Sequence, residues 1–524
     1  MKPLAICCGA LTFALVATTV AGQVTTSQYD NLRTGATLNE KTLTPQNVNA
    51  KQFGKLGAFK VDGAVYAQPL FIPGLEIPTK GRHDVLFIAT EHDSVYAFDA
   101  DRPNDAPLWQ VNFADVQRGI TPVSARDVEC PFIQPEVGIT PTPVIDLKTG
   151  TLYVLARTMI GHSFARNEFF QHLHALAITT GVEKFGGPKL ISATVGGRGA
   201  GAANGKVSFD ALRENPRASL LLANDAVVLT WASSCDVDPY HGWVMAYDPQ
   251  TLAQKAVLNI TPDGDEGGIW MSDTAPAADA SGYIYVPTGN GTFDASSGGR
   301  DYGDSILKLS LEGSSFVIRD YFTPHDQKHM SDADEDLGSS GPLLLSDMSG
   351  PYPHIALQPS KGGKIYVIDR DHMGKFQSDR DAVVQEISMQ GGGYGALAYW
   401  NKHLFFACSD DHLRDYFLEN GQLKLSAASG VKFENPGATP SVSANGTKNA
   451  IVWAIATKTW NGADQPAVLY AFDANKIDQP LYTSEQNANR DRAAAATRFV
   501  IPVVANGRVY FSARGEVEAY GLLK

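Results

Sequence analysis

Four carboxylates crowd into five positions of this chain, Asp332, Asp334, Glu335 and Asp336, shortly after the run TPHD at 323–326. Carboxylates so close together repel one another when ionised, so in a closed site they require a cation or shared protons. Such a group suits general-base work or metal binding; on an open loop of an acidic protein it is a solvated face. Asn290, in TGNG, offers an amide oxygen, which a hard cation accepts without excess negative charge. Gly289-Asn290-Gly291 is equally good as a tight turn, since Gly and Asn tolerate positive φ. The same Asn-Gly-Thr is a glycosylation acceptor if the host is a eukaryote. Trp270 has a flat indole face on which a planar aromatic ring can stack, or it fills a core. Lys361, in SKGG, brings a charge that would stabilise developing negative charge, or it is a solvated turn lysine. Asp236 and Asp238 flank Val237. His172 and His174 alternate on one strand and share a face, which suits a metal or structural hydrogen bonding.

The elements that must position these residues are strands. A phrase recurs eight times: a glycine or polar turn, an apolar strand ending in small residues, then a second strand closing on Ala-Tyr-Asp or a variant of it. The second strands read VYAFD (95–99), LHALAI (173–178), WVMAYD (243–248), 306–311, IYVID (365–369), 413–418, LYAFD (469–473) and 517–522. Their partners, such as DVLFIAT from Asp84 and AIVWAIA from Ala450, alternate apolar and small residues between Gly, Asp and Asn. That is strand chemistry with turn punctuation, and no helical period is sustained. A unit returning every ~50 to 80 residues suits a four-stranded propeller blade with loop insertions. The expectation is an all-β, eight-bladed propeller of antiparallel blades. The last unit runs out of chain after three strands, and KLGAFKV at 55–61 is an orphan strand that would complete it and hide two sheet edges. The alternative is that this N-terminal stretch is only an arm.

The repeats leave no room for an independent domain in 524 residues, so residues 23–524 are expected to form one ring. A net charge of -13 makes nucleic acid and anionic membrane poor partners. Residues 1–22 combine Lys2, an apolar stretch and a small-residue cleavage pattern near Ala21, the features of a signal peptide. Export to the periplasm or the medium is expected, and no other apolar run approaches the ~20 residues of a membrane helix. After loss of Cys7 and Cys8 the chain keeps Cys130, Cys235 and Cys408. The first two lie in loops and could bridge in an oxidising compartment, and Cys408 reads as a buried free thiol in a strand. No C-x-x-C-H occurs, so no covalent c-type haem is expected. No G-x-S-x-G elbow, Walker loop or H-E-x-x-H helix occurs either.

The blade phrase, WMSDTAPAADASGYIYVPTGNGTFD from Trp270, DADEDLG at 332–338 and SKGGKIYVIDRD from Ser360 resemble the quinoprotein alcohol dehydrogenases. These are eight-bladed propellers that bind pyrroloquinoline quinone (PQQ) and a divalent or lanthanide cation. The resemblance implies that Trp270 floors the quinone, Asn290 ligates the metal, and Asp334 is the general base and a further ligand. It also implies that Asp336 is the extra carboxylate of lanthanide users and that Lys361 contacts the quinone oxygens. Three departures stand against it. The position of the family's metal-ligating glutamate falls on Val237, which cannot ligate, so that Asp236 or Asp238 would have to replace it. The family's adjacent-cysteine disulfide is missing, and Ala333 replaces the tryptophan usual before the catalytic Asp. Two functions follow: a PQQ- and Ca²⁺- or lanthanide-dependent oxidoreductase for an alcohol or sugar, passing electrons to an external acceptor, or a non-catalytic propeller serving as a binding or scaffold module.

Overall fold

The alternating runs become eight twisted sheets around a common axis. The computed structural model describes residues 22–161, 167–345, 348–458 and 465–524. The expected leader therefore lies outside the described residues except for Gly22. Blade 1 is Leu70–Ile77, Gly81–Ala89, Ser94–Asp99 and Trp109–Asn112, each antiparallel to the next. The innermost strands of blades 2 to 8 are Val144–Asp146, Leu221–Ala223, Ala277–Ala278, Leu343–Leu345, Ala398–Trp400, Ser441–Asn445 and Val503–Ala505. The VYAFD-type phrases, second in the repeated unit, form the third strand of each blade.

Blade 8 closes the ring. Phe53–Ala64 runs antiparallel to the second half of Arg508–Leu522, with Phe59 opposite Val517, and the first half of that strand pairs with Val503–Ala505. Gly515, at φ +74°, separates the two halves, a backbone that favours glycine. The orphan strand at 55–61 is thus the missing edge. Neighbouring blades share apolar cores: blades 8, 1 and 2 meet around Phe59, Phe98 and Leu152, and blades 7 and 8 around Trp453 and Phe511. Blades 6 and 7, 5 and 6, 4 and 5, 3 and 4, and 2 and 3 do likewise. Each sheet therefore buries both faces against its neighbours, which accounts for the near-continuous apolar runs of the second strands.

Among the features beyond the repeat are additions to blades 2 and 7. Blade 2 carries an insertion, Ile120–Ser124 with Glu136–Val137, and blade 7 gains a fifth, parallel strand, Ala36–Thr37. That parallel strand continues a strap, residues 24–35, which crosses the channel and bonds to the innermost strand of every blade. Val24 pairs with Phe71; Thr25, Asn31, Leu32, Thr34 and Gly35 accept at their carbonyls from Ile145, Ala278, Leu344, Tyr399 and Val442 at 2.7 to 2.9 Å. The Asn31 amide donates to Leu222, and the Tyr29 hydroxyl accepts from Val504. Arg33, fully buried in the strap, donates to the carbonyls of Pro276, Ser27 and Asp30 and to Thr26. Among the described residues no helix is long and apolar enough to cross a membrane.

Candidate functional site

Above the strap, on the face where the chain enters the innermost strands, a cavity opens over the ring axis. Its floor and acidic wall come from blades 3, 4 and 5: Asp236 follows Ala226–Ser233, Trp270 and Ser272 precede Ala277–Ala278, Asp334 and Asp336 precede Leu343–Leu345, and Lys361 follows Ile355–Pro359. In an antiparallel blade both kinds of connection emerge on the same edge, so short loops suffice to bring these side chains together.

Local structure aims each carboxylate. The helix Gln327–Asp332 ends at Ala333, and Asp334 follows at φ +57°. The Glu335 amide reaches back to the Met330 carbonyl at 2.9 Å, the terminating bond usually built around a glycine. Asp334 is thereby turned out of the helix, its side chain 62% exposed, and ion-paired to Lys361. Asp332, by contrast, remains on the helix and pairs with Lys328 in solvent. Asp336 is buried. Its carboxylate accepts from the Asn290 backbone at 3.0 Å and lies 3.4 Å from the Lys361 ammonium. Burial raises its pKa to about 6, with Lys361 and the Asn290 N–H opposing the shift.

The Asn290 amide nitrogen donates to Asp334 at 3.1 Å, whereas its oxygen is buried without a partner. The Trp270 indole nitrogen is also buried without one. Gly289 permits this approach, since a β-carbon there would come within 2.2 Å of the Asp336 carboxylate and 3.0 Å of the indole ring. Asp236, at φ 51°, lines the cavity and accepts from the Tyr240 hydroxyl at 2.9 Å. Burial raises its pKa as well, Tyr240 opposing and the charge of Asp334 adding to the shift. Val237 and Asp238 do not line the cavity.

Sequence reasoning missed four charged groups around the site. Glu266 is held up at about 7 by burial and by Asp238, Asp265, Asp236 and Asp336. Its run PDGDEGG, ending two residues before Trp270, was a legible acidic signal. Asp304, fully buried, accepts from the Leu337 amide and Gln327 and anchors the segment that bears Asp336. On the opposite wall Arg217 and Arg498 are buried among aromatic rings. The Arg217 guanidinium lies 5.1 Å from the Phe499 ring and 5.6 Å from that of Tyr66; Arg498 lies 4.2 Å from Phe132. The cavity is therefore polarised, acidic at one end and basic and aromatic at the other. Nothing in the sequence around these two arginines marks them.

Cys130 and Cys235 form a disulfide that also lines the cavity, tying the blade 2 insertion to the loop that carries Asp236. Cys408 is free and buried, its thiol pushed up to about 11 by burial. His174 stacks on Phe113 and pairs with Glu183, a structural role.

Neither a protein-family model nor a curated protein matches the sequence. Solved structures do. The quinohemoprotein alcohol dehydrogenase ADHIIG of Pseudomonas putida HK5 superposes with a TM-score of 0.62 at 13% identity, over 96% of this chain and 80% of that one. This chain shares the eight-bladed propeller fold of that enzyme. A europium-containing methanol dehydrogenase matches with a TM-score of 0.58 at 13% identity, over 96% of this chain and 98% of that one. At such identity the likeness is one of architecture, and the site must be argued from its own atoms.

Proposed function

We propose that this chain is an exported PQQ-dependent oxidoreductase that oxidises an alcohol or sugar hydroxyl with a Ca²⁺ or lanthanide ion in the site. The observation that carries this reading is the Asn290 amide oxygen, buried and without a partner while its nitrogens are engaged by Asp334 and Asp336. A hard cation takes such oxygen donors. Asn290, Asp336, Asp334 and Asp236 would hold the ion. Trp270 would stack on the planar quinone, Lys361 would face its carbonyl oxygens, and Arg217 and Arg498 would take its carboxylates.

When bound, PQQ supplies the hydride acceptor. The chain supplies the rest: Asp334, reachable from solvent, accepts the hydroxyl proton, and Lys361 brings positive charge to the acidic wall. An external acceptor takes the electrons. The cavity disulfide and the leader-like first 22 residues support a periplasmic or secreted location.

The test is to mix the purified protein with PQQ and either Ca²⁺ or La³⁺, then to follow quinone absorbance and dye reduction with a panel of alcohols and sugars. Asp334→Asn is expected to leave the quinone bound and to abolish turnover, a loss of at least ~10²-fold for a general base. Absence of bound quinone with both ions would overturn the proposal. One observation favours a second reading, a non-catalytic binding propeller: the Lys361 ammonium already contacts both Asp334 and Asp336, balancing charge without an ion. That reading gains if the quinone fails to bind.

A further inference from the structure

A second cluster of ligand-type side chains lies outside the cavity, at the outset of the helix Gln327–Asp332. His325, Asp326 and Asp381 offer an imidazole nitrogen and two carboxylate oxygens that all lie within 4.8 Å of one another. Among the described residues no other trio of His, Cys, Asp or Glu meets that spacing. None of the three lines the cavity.

An acidic cluster alone would mean little, but the oxygens here are unusual. The Asp381 side chain is fully buried, and its Oδ2 has no partner, while Oδ1 accepts from the His325 backbone at 2.6 Å and lies 3.1 Å from Nδ1 of that ring. Asp326 stands at the helix N-cap position and caps nothing: its Oδ1 is buried and unpartnered, and Lys364 approaches only Oδ2, at 3.5 Å. The Tyr366 hydroxyl, buried and also without a partner, feels the charges of both Asp381 and Asp326. Three orphaned buried oxygens beside an imidazole form a costly arrangement unless something binds them.

We propose that His325, Asp326 and Asp381 form a site for a divalent transition cation of the Zn²⁺ or Mn²⁺ class. One imidazole with two carboxylates is a donor set of that class, and the nitrogen ligand discriminates against Ca²⁺. The ion would tie the exit of blade 4 to the blade 5 loop that carries Asp381. It would thereby anchor the start of the helix whose far end presents Asp334. The site is thus structural and distinct from the all-oxygen cation site of the cavity.

The test is a titration of chelator-treated, full-length protein with Zn²⁺ by calorimetry and with Co²⁺ by visible absorbance. One equivalent is expected to bind. His325→Ala, at an exposed position that leaves the fold intact, should weaken it at least ~10-fold, as should Asp381→Asn. Asp336→Asn, which alters only the cavity, should leave it unchanged. The proposal is overturned if no Zn²⁺ binds more tightly than about 100 µM, if His325→Ala has no effect, or if Asp336→Asn alone removes the binding.

Discussion

A carboxylate's environment decides what it can do, and the carboxylates here have been assigned different environments within a few residues. Asp332 is solvated beside Lys328, Asp334 is half in solvent against Lys361, and Asp336 is sealed beneath Asn290. Burial holds Asp336 at about 6 and Glu266 at about 7, both above the ordinary carboxylate range near ~4. With those pKa values raised, the folded state binds protons more tightly than the unfolded one, so their contribution to stability is greatest at low pH and is lost as pH climbs from about 4 to 7. A cation that needs the ionised forms acts in the opposite sense. Thermal melts of the metal-free protein should therefore show a fall over that pH range that is smaller in Asp336→Asn. Added Ca²⁺ or La³⁺ should restore stability most at neutral pH. A melting profile identical in the two proteins would contradict the assignment. The residue types of the acidic run, Asn290, Trp270 and Lys361 were legible because few side chains can do this chemistry. Arg217 and Arg498 were not, since each is a single charge in a loop.

At the scale of elements, the end of the helix Gln327–Asp332 shows a conflict between local preference and use. Its αL position, where glycine is most at ease, is held by Asp334 at φ +57°. Asp tolerates that backbone at a cost of about 1 kcal/mol relative to glycine. Asp334→Gly should therefore melt no lower than the unaltered protein, up to ~1 kcal/mol more stable, while dye-linked turnover disappears. A clear drop in melting temperature would instead mark Asp334 as a structural residue whose Lys361 ion pair matters to the fold. The strands were readable because their period of two and their Gly, Asn and Asp turns are local properties. The choice of Asp236 over Asp238 beside Val237 was left open, for it depends on a loop at φ 51° bonded to Ser233 and Tyr240.

For the whole molecule, closure is achieved twice, at the rim by Phe53–Ala64 and at the axis by the strap of residues 24–35. The strap lies directly under the site, because Arg33 bonds the carbonyl of Pro276, close along the chain to Ser272 and Trp270. Replacing Arg33 with Met keeps much of its volume and leaves those carbonyls unsatisfied. The expected cost is at least ~2 kcal/mol, measurable as a lower thermal midpoint, together with weaker quinone binding if the floor loosens. An unchanged midpoint would show that the strap is an ornament rather than a brace.

What the sequence alone determined was the repeat, and through it the eight blades and the orphan edge strand that completes the last one. Hydrophobic period and turn chemistry act over a few residues and are therefore written locally. Only the tertiary structure decided which loops meet. Ring closure brings residues from positions 66 to 499 into one cavity, gives it opposite charge at its two ends, and seats the strap across all eight blades. It also pairs Cys130 with Cys235 and leaves the Asn290 oxygen facing no partner. Those are properties of distance through space, set by how twisted sheets pack around an axis, and no local pattern in the chain encodes them.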